Sequence, residues 1–405
     1  MSLTKQKRVL SVLCLIYGIW HLGTTWTTTL LSFLQWDTTE VLTIVDLGYI
    51  QSFGALCNAV GALAIGQMTD SIGPKFMFLF ATVLTSLYYI GLSMSYTWLG
   101  FLMLQVLRIG YQLDSTAEMY LATVTTESER TRALMILTIP QAASMFLGPI
   151  IASRVAVWTT LRTSQFFCGL VMSAFLVPVL LFMLPTTHSI PRLASARLRP
   201  QDYWPMLTRN GALREGLVLR ALLVAAYVCY ELIARNYLLR SYMKGAGDSA
   251  EVLIVMGISL LATQFAILPI LQKRFTPKTL LQIAITALII SYAGANFTTS
   301  LYQFLAITAL QTGAYAVAYA ESCTQITSAV ERTDLGKATG FASMTQWLTH
   351  FVIPLYTSHL VQHWHYTYAF YTSAVLMTAA LGYVTAFAKH SNARYQTLLP
   401  SMQVA

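Results

Sequence analysis

Twelve apolar runs of roughly 20 residues or more follow one another along this chain, and that repetition limits the fold more than any other feature. They lie near 9–34, 43–67, 76–96, 98–124, 133–155, 162–184, 216–242, 250–272, 279–298, 302–326, 338–360 and 366–388. A helix needs about 20 apolar residues to cross the hydrocarbon core of a bilayer, where every backbone polar group must be satisfied within the segment. Charge content closes off the alternative of a large soluble helical protein. Only 10% of the 405 residues are charged, against about 25% in soluble domains. With 56% hydrophobic residues and a mean hydropathy of +0.59, the chain reads as an all-α membrane protein of twelve transmembrane helices.

The polar stretches between runs organise it. A Pro- and Arg-rich linker, 185–215, separates residues 1–184 from residues 216–388, six runs on each side, and a polar tail occupies 389–405. With both termini placed in the cytoplasm, nearly all loop lysines and arginines fall inside. The outer ends hold only Arg154, Arg162, Arg240 and Lys244, as the positive-inside rule requires. That distribution assigns the net charge of +9 to the inner leaflet and leaves no case for nucleic-acid binding. The five cysteines lie within apolar runs, where they act as small hydrophobes. None of the cysteines has metal-ligand spacing, the cluster His359, His363 and His365 reads as surface histidines of a short outer loop in preference to a metal site, and no phosphate loop, nucleotide fingerprint or nucleophile elbow is present. The sequence therefore implies no enzyme, no cofactor and no metal. Asn296-Phe297-Thr298 matches a glycan acceptor pattern but sits too close to the membrane to be used.

The two halves repeat each other. Ile72-Gly73-Pro74-Lys75 matches Phe275-Thr276-Pro277-Lys278, Ala117-Glu118 matches Ala320-Glu321, Glu129-Arg130-Thr131 matches Glu331-Arg332-Thr333, and Pro149 matches Pro354. The offset is nearly constant and the matches fall at the same places in the helix count. The expected architecture is two six-helix pseudo-symmetric bundles, parallel repeats related by an axis along the membrane normal.

This layout resembles the major facilitator superfamily over nearly the whole chain. The segment Gly66-x-x-x-Asp70-x-x-Gly73-x-Lys75, a polar break read as a tight loop between the second and third runs, looks like the superfamily's signature there. Ser71 and Pro74 stand where basic residues are usual. Gly148-Pro149-Ile150-Ile151-Ala152-Ser153 in the fifth run is similar to the Gly-Pro signature of the drug:proton antiporter branch. Arg108 stands where that branch carries an arginine in its fourth helix. Gly48 through Gly54 and the stretch from Glu321-Ser322 through Ala342-Ser343 look most like the organic-cation-transporter-like carriers, the member-18-like group of solute carrier family 22. The resemblance implies that runs 1, 4, 7 and 10 line a cavity and that runs 3, 6, 9 and 12 face mainly lipid. It also implies an inner gate in which Asp70, supported by Gly66, Gly73, Lys75 and Arg130, docks on the start of the eleventh helix. A helix start offers unpaired N–H groups and a partial positive charge. The equivalent position in the second half is Lys273, which cannot serve that end, so one carboxylate latch is expected.

Ionisable residues within the bilayer are costly and usually face a cavity, and they fall on the cavity runs. The fourth run carries Arg108, Asp114 and Glu118, the seventh Arg220, Glu231 and Arg235, and the tenth Glu321. The first run carries His21 among Tyr17, Trp20, Thr24 and Thr25, and the second adds Asp46 near its outer end. Glu231 and Arg235, four apart, share a helix face and can pair structurally or serve substrate. Five acids against three bases favour a cation, a zwitterion or proton coupling, and Asp114 beside Arg108 is the sharpest coupling candidate. Tyr17, Trp20, Tyr111, Tyr227, Tyr230, Tyr315, Tyr319 and Trp347 offer cation–π contacts or ordinary packing. The leading expectation is a monomeric, proton-coupled carrier of small organic cations or drug-like amphiphiles in the plasma membrane or an endosomal or lysosomal membrane. A facilitative uniporter of a neutral or zwitterionic metabolite, and a non-transporting receptor or scaffold, are the alternatives.

Overall fold

A computed structural model describes the chain except residues 1–2, 73, 114–115, 118–119, 121–126, 186–207, 209, 242–245, 331–334 and 388–405. Side chains are further left undescribed at 3–7, 63–72, 74, 127–135, 138, 235–241, 246–249, 264, 272–273, 327–328, 335–337, 339–340 and 387.

Twelve helical spans form, and no strand occurs among the described residues. They are α1 (Leu3–Trp36), α2 (Ile44–Ile72), α3 (Pro74–Met94), α4 (Trp98–Leu104), α5 (Glu127–Trp158), α6 (Leu161–Pro178), α7 (Gly211–Ser241), α8 (Ala246–Ala262), α9 (Pro277–Gly294), α10 (Leu301–Ser328), α11 (Leu335–His363) and α12 (Thr367–Phe387). Helix α8 runs on through a wider π turn, Thr263–Ile267, to a last α segment, Leu268–Arg274. Among the described residues, seven spans are long and apolar enough to cross a membrane by length and composition.

Helix starts follow local chemistry. Thr97, Thr160, Thr276 and Ser300 cap α4, α6, α9 and α10, each hydroxyl accepting from the backbone N–H three residues on and satisfying an otherwise orphaned donor. Pro74 and Pro277 are the first residues of α3 and α9, where the missing N–H costs nothing. Pro149 and Pro354 lie inside α5 and α11. The repeat seen in the sequence thus recurs as equivalent helix geometry.

Two sequence expectations are corrected. The polar segment from Gly66 is not a loop: α2 continues to Ile72, so Gly66 and Asp70 belong to its last turns. Nothing in Gly66–Ile72 forbids a helix; Pro74, which restricts the residue before it, ends it. The fourth run is not a uniform helix either. Helix α4 tightens into a 3-10 segment, Gln105–Gly110, and Tyr111 leaves helical geometry at φ −78°, ψ 59°. Close neighbours on α2 impose this departure, as described below.

By contacts the chain divides into residues 1–194 with 235–258, and residues 195–234 with 259–405. In the first unit, α1 and α5 approach through small residues. Thr25 Oγ1 donates to Ser144 O at 2.8 Å, and Ser144 Oγ donates to Gly18 O at 2.8 Å. A Cβ on Gly148 would collide with Thr25 Oγ1. Such close approach is how membrane helices gain dispersion contact when lipid offers no hydrophobic driving force. Arg162 ties the α1–α2 and α3–α4 connections to the start of α6. In the second unit, Asn210 closes two helix ends at once. Its Oδ1 accepts from Leu213 N at 3.1 Å at the start of α7, and its Nδ2 donates to Ala329 O at 2.6 Å at the end of α10. Outward stripes such as Phe76, Phe80, Val83 and Leu87 on α3 and Phe167, Leu170 and Phe175 on α6 stay exposed, as a lipid-facing surface must. Of the seven spans α8 is the most exposed and α7 the most buried.

Candidate functional site

The first unit builds its polar centre on one face of α2. Gly54, Asn58 and Gly61 recur at helical spacing, so two glycines flank one amide on a single stripe. That stripe lies against Gln105–Gly110. A Cβ on Gly54 would collide with the Arg108 guanidinium, and one on Gly61 with the Ile109 carbonyl. In the space so created, Asn58 accepts from Arg108 Nη2 at 2.9 Å and donates to Arg108 O at 2.9 Å, with its amide oriented to satisfy both. Arg108 Nη1 donates to Gln105 Oε1 at 3.2 Å, and Gln112 Nε2 donates to Asn58 O at 2.8 Å. Arg108 is therefore held by neutral amides. Beside this cluster, Tyr111 Oη donates to Thr24 Oγ1 at 2.7 Å, and Tyr89 Oη lies 3.3 Å from the same hydroxyl. The Trp20 and Tyr111 rings stand 5.7 Å apart, those of Tyr17 and His21 5.3 Å.

The second unit has its own centre, between α7 and α10. Arg220 is 3% exposed. Its guanidinium carbon lies 3.7 Å over the Tyr319 ring, and Nη2 donates to Cys323 Sγ at 2.7 Å. Tyr319 Oη donates to Gln346 Oε1 at 3.0 Å, which fixes the ring from α11. Tyr315 continues the aromatic row, 5.8 Å from Tyr319 and stacked on Tyr227 at 4.5 Å. Arg220, Tyr227 and Glu231 lie seven and four residues apart on α7, hence on one face. An apolar groove of about 200 Å3 around Thr263 and Gly313, between α8, α9 and α10, contains none of these polar residues. Exposed Ile267, Ile283 and Leu310 at its mouth place it on the lipid side.

The residues singled out from the sequence fare differently. His21 is half-buried beside Tyr17, Glu231 is half-buried on α7, and Glu321 is buried on α10. Asp46 serves its own helix start: its carboxylate accepts from Thr43 N at 2.8 Å and Thr43 Oγ1 at 2.6 Å, while Asp46 N donates back to Thr43 Oγ1. This reciprocal capping box accounts for an acid at that position without a substrate. Lys75 Nζ donates to Leu181 O at 3.0 Å, which places a cation on the carbonyl end of the α6 span. Gly148 serves the α1–α5 contact, and Pro149 takes a hydrogen bond on its carbonyl from Ser153 Oγ at 2.7 Å. Asp114, Glu118 and Gly73 lie outside the described residues, the side chains of Asp70, Arg130 and Arg235 lie outside the described side chains, and Gly66 is described only as part of α2. Asn296 has both side-chain polar atoms buried, so its glycan acceptor pattern is closed. Asn58, Gln105, Cys323 and Gln346 were not anticipated. A lone Asn between two glycines in an apolar run was the available signal for the first.

These features are matched by known proteins. The model of the Major Facilitator Superfamily matches residues 9–301 and 252–401. No curated protein sequence matches significantly. Among solved structures, the human organic anion transporter MFSD10 (TETRAN) is similar at TM-score 0.71 and 15% identity, covering 94% of this chain and 99% of that one. The nucleoside transporter NupG is similar at TM-score 0.70 and 15% identity, with 95% and 99% covered. A bacterial homolog of the human lysosomal transporter Spinster, inward-facing and unoccupied, gives 0.66 and 13%, with 95% and 96% covered. At such identities these likenesses show the fold alone, two six-helix halves. The chain belongs to the Major Facilitator Superfamily. It is a multi-pass membrane transporter of a small-molecule substrate.

Proposed function

We propose that this chain moves a small organic solute across its membrane by secondary active, alternating-access transport coupled to protons, with both termini cytoplasmic and the monomer as the working unit. The observation that carries the coupling is Arg108, a membrane-embedded cation held only by the amides of Asn58 and Gln105 among the described residues. Arginine does not shed its proton, and a charge at this depth demands a counter-charge. Asp114, six residues on in the same span, is the carboxylate of choice: ionised it balances Arg108, protonated it leaves Arg108 to substrate. The resemblance of Gly148–Ser153 to the antiporter signature supports the same reading.

Removing Asp46 from the acids leaves four against three bases, so the acidic margin that favours a cation narrows from two to one. The organic-cation reading keeps Tyr111 and the aromatic side chains of α1, α7 and α10 as its support. In proteoliposomes carrying labelled tetraethylammonium or labelled benzoate, an imposed pH gradient is expected to accelerate flux severalfold. Asp114→Asn is expected to abolish the acceleration while gradient-free exchange persists. Flux indifferent to both the gradient and the substitution would assign facilitated transport instead.

The inner latch is a second element of the proposal. Asp70→Asn is expected to raise the accessibility of a cysteine reporter at the cytoplasmic gate, and Lys273→Ala to leave it unchanged. Equal labelling in all three proteins would remove the latch.

A further inference from the structure

Among the described residues, the Arg220 site is charge-incomplete. Its hydrogen-bond and ring partners among the described residues are Cys323 and Tyr319, and neither is an acid. Its Nε is buried and makes no hydrogen bond. Taking a guanidinium out of water costs several kcal/mol, and a neutral thiol and a ring face return little of it. Nearby acids do not close the gap. Glu231 shares the α7 face but stands eleven residues away, about 16 Å along the helix axis. Glu321 lies two residues from both Tyr319 and Cys323 on α10, and so points to the other side of that helix. A buried, planar, permanently charged fork with an unused donor, faced by the Tyr319 ring at the end of the Tyr319–Tyr315–Tyr227 row, has the donor geometry for a carboxylate or sulfonate and stacking surface for a flat organic body.

We infer that Arg220, with Tyr319 and Cys323, is the subsite that receives the anionic group of a small aromatic organic anion. This rests on the transport reading above and narrows its substrate. Arg220 is then retained at a cost in stability that bound anion offsets. An apolar residue of similar length, in contrast, stabilises the empty protein and ends recognition.

The test uses the full-length protein, with benzoate and p-toluenesulfonate as anionic probes and benzyltrimethylammonium as the cationic counterpart. Binding is read as ligand-induced thermal stabilisation in detergent, and transport as flux into proteoliposomes. Wild type is expected to be stabilised by the two anions and not by the cation. In Arg220→Met the apparent affinity for the anions falls about 10- to 100-fold, the equivalent of losing one to two charge-assisted hydrogen bonds, while the ligand-free melting temperature stays level or rises. Arg220→Lys retains part of the anion response, because the charge remains and the fork does not. Tyr319→Leu weakens it with Arg220 intact, and this guards against misfolding of the arginine variants. Anion binding without flux would keep the subsite and sink the transport reading. Flux of the cation with no anion binding would keep transport and overturn the subsite. Anion binding unchanged in Arg220→Met would overturn the subsite as well.

Discussion

Gly61→Leu is expected to yield no monodisperse protein, and Gly61→Ala to lose about 1–3 kcal/mol of stability, the range for overpacking a filled interior. At Gly61 even a methyl group would meet the backbone of the 3-10 segment: its carbonyl oxygen, and at 2.8 Å the Ile109 carbonyl carbon and Cα. Backbone cannot swing aside as a flexible side chain can, so α2 and Gln105–Gly110 must separate. Separation pulls Asn58 away from Arg108, and a buried cation that loses its amide partners is a second penalty. Transport by Gly61→Ala should therefore fall further than its stability does. Val60→Leu is the control. Val60 is exposed toward lipid on the same helix turn, and the change should stay within about 0.5 kcal/mol. Gel-filtration profiles after graded heating read both effects. Gly61→Ala matching wild type in profile and flux would mean that the approach of α2 to Ile109 is looser than described.

What could be seen in advance divides along a physical line. Spans, halves and repeat depend on features local in the chain: apolar length, Pro74 and Pro277 at helix starts, Pro149 and Pro354 within helices. The four prolines recur at those places in the structure. Capping is local too: Thr43-x-x-Asp46 before an apolar run has the form of a capping box, and only the hydrogen bonds between Asp46 and Thr43 separate that role from one in transport. The 3-10 segment was not legible, because no residue within Gln105–Gly110 forces it. Its shape comes from Gly61 on another helix, and periodicity within one run carries no trace of that contact. The partners of Arg220 were hidden for the same reason, since Cys323 looked like any small hydrophobe until α10 was set against α7.

Arg162→Ala is expected to cost about 2–3 kcal/mol, although the sequence offers Arg162 only as one more outer charge. The side chain is 11% exposed, and its donors reach two connections, α1–α2 and α3–α4. Nε donates to Asp37 Oδ2 at 2.7 Å; Nη1 donates to Ser95 O at 2.6 Å and Ser93 O at 3.2 Å; Nη2 donates to Asp37 O. The guanidinium also lies 3.7 Å over the Tyr96 ring. The ion pair is the lesser part, because the Asp37 side chain is 60% exposed and such pairs are worth about 0–1 kcal/mol. The larger part lies in backbone carbonyls that have one cationic donor and, at buried Ser93 and Ser95, little water to replace it. Three results should follow in thermal melts. Asp37→Asn stays near wild type, since an amide oxygen still accepts from Nε. Arg162→Lys recovers less than half of the alanine loss, because a single ammonium cannot span a planar fork's acceptors. Raising the salt concentration narrows the gap between wild type and Arg162→Ala only slightly, because screening acts on the exposed pair and spares the buried carbonyls. If Asp37→Asn proved as damaging as Arg162→Ala, the ion pair would be the source of the effect, and the carbonyl cage would be geometry without consequence.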